Sequence, residues 1–164
     1  MESSFGIIKV NMKLSQNFTT EEFEKSNTAL RRGIDNSIPK ELLDEALKTA
    51  SMMENIRLFL STKANKTIPI NVSSAYRGLE LNRVIGSLDT SDHILMKAVD
   101  FEAPEFGTPY EVCKSLVPVM DALGIGQIIY EHTWVHVSSK LPDKLLNRIL
   151  TVQGKSYTVG IQED

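Results

Sequence analysis

The sequence predicts a single α+β domain in which a small antiparallel sheet with flanking helices follows a helical N-terminal arm. Helical patterns come first along the 164-residue chain, and short β-rich runs then alternate with further helices. Neither an internal repeat nor a long linker interrupts the sequence, and 41% apolar content at this length is enough for one hydrophobic core. We therefore expect an arm over residues 1–36 and a core over residues 37–164 that ends in a β-hairpin.

The first third of the chain is predicted to be helical. In the arm, a short helix is expected within residues 17–35, because Thr19 and Thr20 precede acidic residues as in a helix N-cap and Gly33 ends the segment. Pro39 then begins a longer helix whose apolar residues recur at three- and four-residue spacing. The residues of this stripe are expected to face the core: Leu43, Ala46, Leu47, Ala50, Met53, Ile56 and Leu60.

The middle of the chain is predicted to alternate between strands and helices. Residues 68–76 and 98–102 are β-rich and are expected to form short strands, with a loop or short helix over residues 77–84 between them. A Thr-Pro pair then begins a helix over residues 108–123, and Pro118 within it predicts a kink or a break.

The last third of the chain is predicted to be β-rich. Residues 126–131 and 133–139 form two strands or one strand that bends at residues 132–133. Residues 149–161 have the pattern of a hairpin whose turn is Gly154-Lys155.

Composition and charge exclude several classes of partner. The net charge is −3 and the basic residues are scattered, so the basic face that binds nucleic acid is missing. No run of about 18 apolar residues occurs, and the N-terminus lacks the basic start and cleavage site of a signal peptide. We therefore expect a protein that is made in the cytoplasm and does not insert into a membrane. The single cysteine, Cys113, lies in a helical pattern and is expected to be a buried hydrophobe.

The three histidines, His93, His132 and His136, are the first indication of a chemical function. Histidine and aspartate are zinc ligands, and Asp100 follows the first histidine closely in sequence. A straight strand would hold these two residues about 23 Å apart, so a shared metal requires a turn between them. Residues 94–96 carry no strong turn signal, which leaves a hydrogen-bonded structural pair as the alternative.

The alternation of side chains along a strand predicts the face on which His136 lies. It places Val135 and Val137 on one face of the strand and His136 on the other. On this pattern alone His136 is predicted to be a surface or partly exposed histidine.

Short motifs surround these residues: Ser-x-Tyr-Arg, an Asn five residues after that Arg, Ser-x-His, Ala-x-Asp and Trp-Val-His-Val-Ser. In combination they resemble the zinc D-alanyl-D-alanine carboxypeptidase family of metallopeptidases, especially its phage-encoded members. The resemblance covers residues 14–139 and implies the hedgehog/DD-peptidase fold. The residues that carry it are Ser74, Tyr76, Arg77, Asn82, Ser91, His93, Ala98, Asp100, Trp134, Val135, His136, Val137 and Ser138.

The resemblance implies a metal site and a charged partner for the substrate. His93, Asp100 and His136 are implied to bind Zn²⁺ and to leave the fourth position to water. Arg77 is implied to reach the site, where its guanidinium holds a carbonyl or carboxylate oxygen of the substrate.

The resemblance leaves the general base open. Ser91 is implied to lie beside the substrate, and Trp134 is implied to lie beside the last metal ligand and to contact the substrate. Relatives carry an acidic base three residues before the final histidine ligand, but here that position is Thr133, which cannot act as a base at neutral pH. Glu131 is the nearest carboxylate and is the expected base if the local turn is shortened. His132 is the second candidate for that role and is otherwise expected to contact the substrate.

The segment between the first two ligands also departs from the family pattern. Met96 stands where relatives have a glycine. If that glycine adopts a positive φ, Met96 is expected to be strained or the turn to be built differently.

The resemblance implies hydrolysis of amide bonds in peptidoglycan peptides, as in cell-wall lysis by a phage endolysin. The enzyme would act on the wall after release from the host cytoplasm, or as part of a virion together with other phage particle proteins. The alternative is a non-catalytic zinc-containing virion module that is structural or binds peptidoglycan.

Overall fold

A six-stranded, mostly antiparallel sheet organises residues 10–164, the part of the chain that the computed structural model describes. The strand order is β1-β2-β4-β3-β5-β6, and β3–β5 is the parallel pair. The predicted α+β class is confirmed, although the sheet is not purely antiparallel. The strands are β1 (Asn71–Ser74), β2 (Ala98–Glu102), β3 (Gln127–Tyr130), β4 (Val135–Ser138), β5 (Ile149–Gln153) and β6 (Ser156–Val159).

Five α-helices and three short 3₁₀ segments accompany the sheet in the described residues. The helices are α1 (Thr20–Glu24), α2 (Asn27–Arg32), α3 (Leu43–Ala64), α4 (Leu79–Ile85) and α5 (Pro109–Leu116), and the 3₁₀ segments are Lys40–Leu42, Val117–Val119 and Leu145–Arg148. The break predicted at Pro118 is confirmed, because α5 gives way there to a 3₁₀ turn. Within residues 10–164, none of the helices combines the length and apolarity that crossing a membrane requires.

The N-terminal arm carries two short helices where the sequence predicted one. Thr19 caps α1 in a reciprocal capping box with Glu22, which supports the predicted N-cap. The chain leaves helical geometry at Lys25, and Ser26 then caps α2 by accepting a hydrogen bond from a backbone N–H. Gly33 ends α2 in the left-handed conformation that glycine adopts most readily.

The long helix α3 buries most of its predicted stripe. Ala46, Ala50, Met53, Ile56 and Leu60 are all fully buried. The prediction for Leu47 was wrong, because it is 44% exposed. Thr49 is buried instead, and its hydroxyl donates a hydrogen bond to the Met96 carbonyl at 2.6 Å.

The arm packs into the same hydrophobic core as the rest of the chain. Phe18 and Phe23 are almost completely buried, with ring centroids 5.9 Å apart, and they belong to one cluster with the buried face of α3. Cys113 is buried in that cluster as predicted, and burial raises the pKa of its thiol to about 12. A buried thiol that stays protonated packs as a small apolar group and does not act as a nucleophile.

Removing the Phe23 side chain tests how firmly the arm is held. Because Phe23 is fully buried, Phe23→Ala is expected to lower the free energy of unfolding by about 3–5 kcal/mol through lost transfer energy and a cavity. Leu30→Ala is the control, since Leu30 is 82% exposed and surface changes cost at most about 0.5 kcal/mol. Urea unfolding of both variants measures the difference. Equal midpoints would show that the arm contributes little to the fold.

Candidate active site

The register of the central strands brings two site residues together. Asp100 on β2 pairs directly with His136 on β4, on the sheet face opposite Val135 and Val137. Nδ1 of His136 lies 2.9 Å from Oδ1 of Asp100. His136 is buried, so its predicted surface position was wrong. The alternation of side chains along a strand assigns His136 to one face of the sheet, but it does not show whether that face is buried.

A tight turn brings His93 back to Asp100. The backbone N–H of Met96 donates to the His93 carbonyl at 3.3 Å, and that of Lys97 donates to the Asp92 carbonyl at 3.0 Å. Met96 has φ 58°, so of the two outcomes expected for this position the structure shows the strained left-handed residue. Its side chain is fully buried and Thr49 holds its carbonyl, so packing and a hydrogen bond offset the local strain.

The three predicted metal ligands lie together at this point. One donor atom from each of His93, Asp100 and His136 lies within 4.8 Å of the others. Nδ1 of His93 is 2.6 Å from the Ala75 carbonyl, which fixes a proton on Nδ1 and leaves a lone pair on Nε2. Nε2 is buried 3.3 Å from Asp100 Oδ2, yet it has no hydrogen-bond partner among the residues described. A buried nitrogen of this kind fits a metal ion.

The ionisation of His93 and Asp100 suits metal binding, whereas that of His136 opposes it. Burial lowers the pKa of His93 and outweighs the nearby Asp100 charge, so its imidazole is neutral. Burial disfavours the ionised Asp100, but His93 and the hydrogen bond from His136 outweigh it and hold the pKa well below its usual range. Burial likewise opposes charge on His136, while Asp100 outweighs it and raises the pKa of His136. A metal would therefore meet a carboxylate and one neutral imidazole, and it would have to displace a proton from His136 to bind that ring.

The three residues lie at the wall of an open cleft of about 720 Å³. Four of the predicted functional residues also line it: Arg77, Ser91, Glu131 and Trp134. The cleft is thus large enough for several residues of a peptide, with the candidate metal site at its edge.

Arg77 lines the cleft and is influenced by the charges of two acidic residues there, Asp100 and Glu131. Burial lowers the pKa of its guanidinium, while the charges of Asp100 and Glu131 oppose that shift. Its Nε is buried and has no hydrogen-bond partner within residues 10–164. In the cleft, the other N–H groups of the Arg77 guanidinium can donate to a substrate oxygen.

Glu131 reaches the cleft through a tight connection between β3 and β4. The Glu131 N–H donates to the Trp134 carbonyl at 3.2 Å, and His132 turns the chain with φ 64°. Thr133 stays exposed at the tip of this loop. Burial raises the pKa of Glu131, and the charge of Asp100 adds to the shift although His136 opposes it. A raised carboxyl pKa suits a general base near neutral pH.

His132 lies apart from the predicted ligands and faces the C-terminal strands. Its Nε2 donates to the Val152 carbonyl at 2.7 Å, and its Nδ1 contacts the Asp164 carboxylate. These two contacts raise the pKa of His132. The substrate contact expected for His132 stays a prediction, and both ring nitrogens already have partners.

Sequence reasoning missed Asn36, which positions the Arg77 segment. Its buried amide donates to the carbonyls of Glu24 and Tyr76 and accepts from the Gly78 N–H. A lone Asn forty residues before its partner carries no local signal.

Asp92 was also missed. It accepts a hydrogen bond from Ser138 at 2.7 Å and lies 3.8 Å from the Lys140 amine at the cleft.

The similarity of the chain to known proteins agrees with this geometry. The family model described as Peptidase M15 matches residues 16–138, which include the candidate ligands, Arg77 and Glu131. No curated protein matches the chain. The family consists of zinc peptidases, and its match extends over most of the chain. The chain therefore belongs to the Peptidase M15 family of metallopeptidases.

Proposed function

We propose that this protein is a zinc-dependent peptidase that hydrolyses amide bonds in peptidoglycan peptides. The observation that carries the proposal is the juxtaposition of His93, Asp100 and His136 with Arg77 and Glu131 in one open cleft. Membership of the family supports the reaction class, and the cleft suits an extended peptide.

Each polar group in the cleft has a task in amide hydrolysis. Zinc held by His93, Asp100 and His136 would lower the pKa of a water molecule toward about 7 and polarise the scissile carbonyl. Glu131 would accept a proton from the attacking water molecule while the oxygen of that water bonds to the carbonyl carbon. Arg77 donates to the oxyanion that develops on the carbonyl oxygen.

The same groups complete bond cleavage. Glu131 returns its proton to the amide nitrogen as the C–N bond breaks, which leaves a carboxylic acid and an amine, and proton transfer between the two gives a carboxylate and an ammonium group. Ser91 and Trp134 line the cleft and are the residues proposed to contact the peptide there. We assign the protein to cell-wall lysis of the phage type, in which the enzyme meets its substrate after release from the host cell or as part of a virion.

A second function is favoured by one observation. Thr133 occupies the exposed loop position where relatives carry an acidic residue. In a zinc-containing virion module that binds peptidoglycan or is structural, loss of that base would be tolerated. This alternative predicts a bound metal without hydrolysis.

Metal removal separates the two functions. Wild-type protein loaded with Zn²⁺ is expected to release new amino and carboxyl termini from purified peptidoglycan, measured by mass spectrometry of the soluble peptides. Dialysis against a chelator should abolish release, and added Zn²⁺ should restore it. Zinc binding with intact peptidoglycan would support the non-catalytic module. Protein purified without chelator that contains no metal and binds none would sink both functions.

A further inference from the structure

Strand pairing places Tyr157, in the C-terminal hairpin, on the sheet face that also carries Asp100 and His136. His136 pairs with Ile129, and Ile129 pairs in turn with Leu150 on β5. Val152 lies two residues further along β5 and pairs with Tyr157 on β6. Paired residues, and residues two apart on a strand, project from the same face of a sheet. Tyr157 therefore shares the face of His136 although it lies on the edge strand.

The side chain of Tyr157 forms part of the cleft wall. It lines the same cleft as Glu131, Arg77 and Trp134 and is 57% exposed there. Partial burial raises the pKa of its phenol, and the charge of Glu131 adds to that shift. The ring is thus close enough to Glu131 to be influenced by its charge, yet open enough to meet a ligand.

The hairpin is fastened to the loop that carries Glu131. The His132 ring donates to the carbonyl of Val152, which is the strand partner of Tyr157. This contact fixes the position of Tyr157 relative to Glu131. The family match ends at residue 138, so the hairpin adds a wall to the cleft beyond the matched segment.

We propose that Tyr157 is a substrate-binding residue whose ring packs against the peptide chain and whose hydroxyl hydrogen-bonds to its backbone. A tyrosine offers a large apolar surface at low entropic cost, together with one donor and an acceptor. The inference rests on the proposed function, because it takes the peptidoglycan peptide as the ligand of the cleft. Tyr157 acts on affinity and leaves the proton transfers to other groups.

Two variants and a matched control test this role. Tyr157→Phe keeps the ring and removes the hydroxyl, and Tyr157→Ala removes both. Thr158→Val is the control, because Thr158 lies on the same strand and projects from its other face. Calorimetric titration of the metal-free proteins with soluble muropeptides measures binding, and assays of the zinc-loaded proteins give kcat and KM. Thermal melts verify that all three variants fold.

The expected result is a loss of affinity without a loss of turnover. Tyr157→Phe should bind about threefold to tenfold more weakly, and Tyr157→Ala at least about tenfold more weakly, with kcat within about twofold of Thr158→Val. Equal affinity of Tyr157→Ala and Thr158→Val would overturn this inference alone, as would a fall in kcat at unchanged KM. A wild-type protein that neither binds nor cleaves muropeptides would overturn the proposed function and this inference with it.

Discussion

Glu131→Gln is expected to lower the rate of peptidoglycan hydrolysis by about a hundredfold to ten-thousandfold, the usual contribution of a general base. Glutamine keeps the shape of the side chain but cannot accept the proton of the attacking water. Burial raises the pKa of Glu131 and so brings its basicity closer to neutral pH, which makes this carboxylate suited to the task. The rate of release of new amino termini from purified peptidoglycan measures the effect.

The metal content of this variant gives the internal check. Glu131 lies outside the group formed by His93, Asp100 and His136, so Glu131→Gln should bind Zn²⁺ as the wild type does. Glu105→Gln is the matched control, since Glu105 is exposed and is not one of the residues that line the cleft, and it should retain full activity. Hydrolysis at the wild-type rate by Glu131→Gln would show that another group serves as the base.

His93→Ala is expected to abolish both zinc binding and hydrolysis. The substitution removes one of the three proposed ligands and the hydrogen bond that orients its ring, between Nδ1 and the Ala75 carbonyl. Loss of a partner that merely orients a ligand weakens metal binding by about 10–100-fold, so loss of the ligand itself should exceed that range. Competition with a fluorescent chelator measures the affinity.

The other two histidines make this prediction specific. His136→Ala should behave like His93→Ala, because the ring of His136 belongs to the same group. His132→Ala should keep its zinc, since His132 contacts Val152 and Asp164 instead. Undiminished zinc affinity in His93→Ala would place the metal elsewhere, and loss of zinc in His132→Ala would point the same way.

The elements set by local chemistry could be predicted from the sequence. The strand Ala98–Glu102 has the predicted bounds, and the turn of the C-terminal hairpin falls at Gly154, as the glycine indicates. Pro118 ends α5 because proline lacks the N–H that continues a helix. In each case a few neighbouring residues suffice to decide the conformation.

The burial of individual residues could not be predicted in the same way. Leu47 follows the spacing of the core stripe and is nevertheless exposed, while Thr49 takes a buried place because it meets the Met96 carbonyl from a distant turn. His136 is buried because Asp100 and Ile129 flank it on the neighbouring strands and the His93 ring packs against it. Alternation identifies the two faces of a strand but does not show what covers them.

In the candidate site, too, local motifs predicted some features, and others depended on distant parts of the chain. Motif resemblance indicated His93, Asp100 and His136, and the structure brings their donor atoms together. The turn that makes this possible depends on a left-handed Met96, a conformation that a bulky residue adopts only when its surroundings hold it. Tyr157 was missed because strand pairing over β3 and β5 places it at the cleft, and no local motif marks it.

A crystal structure of the zinc-loaded protein tests the central claim most directly. Anomalous scattering is expected to place one zinc ion about 2.0–2.2 Å from a ring nitrogen of His93, a carboxylate oxygen of Asp100 and a ring nitrogen of His136. The Glu131 carboxylate should then lie within hydrogen-bond reach of a water at the fourth position. Zinc bound elsewhere, or a Glu131 side chain turned out of the cleft, would contradict the account.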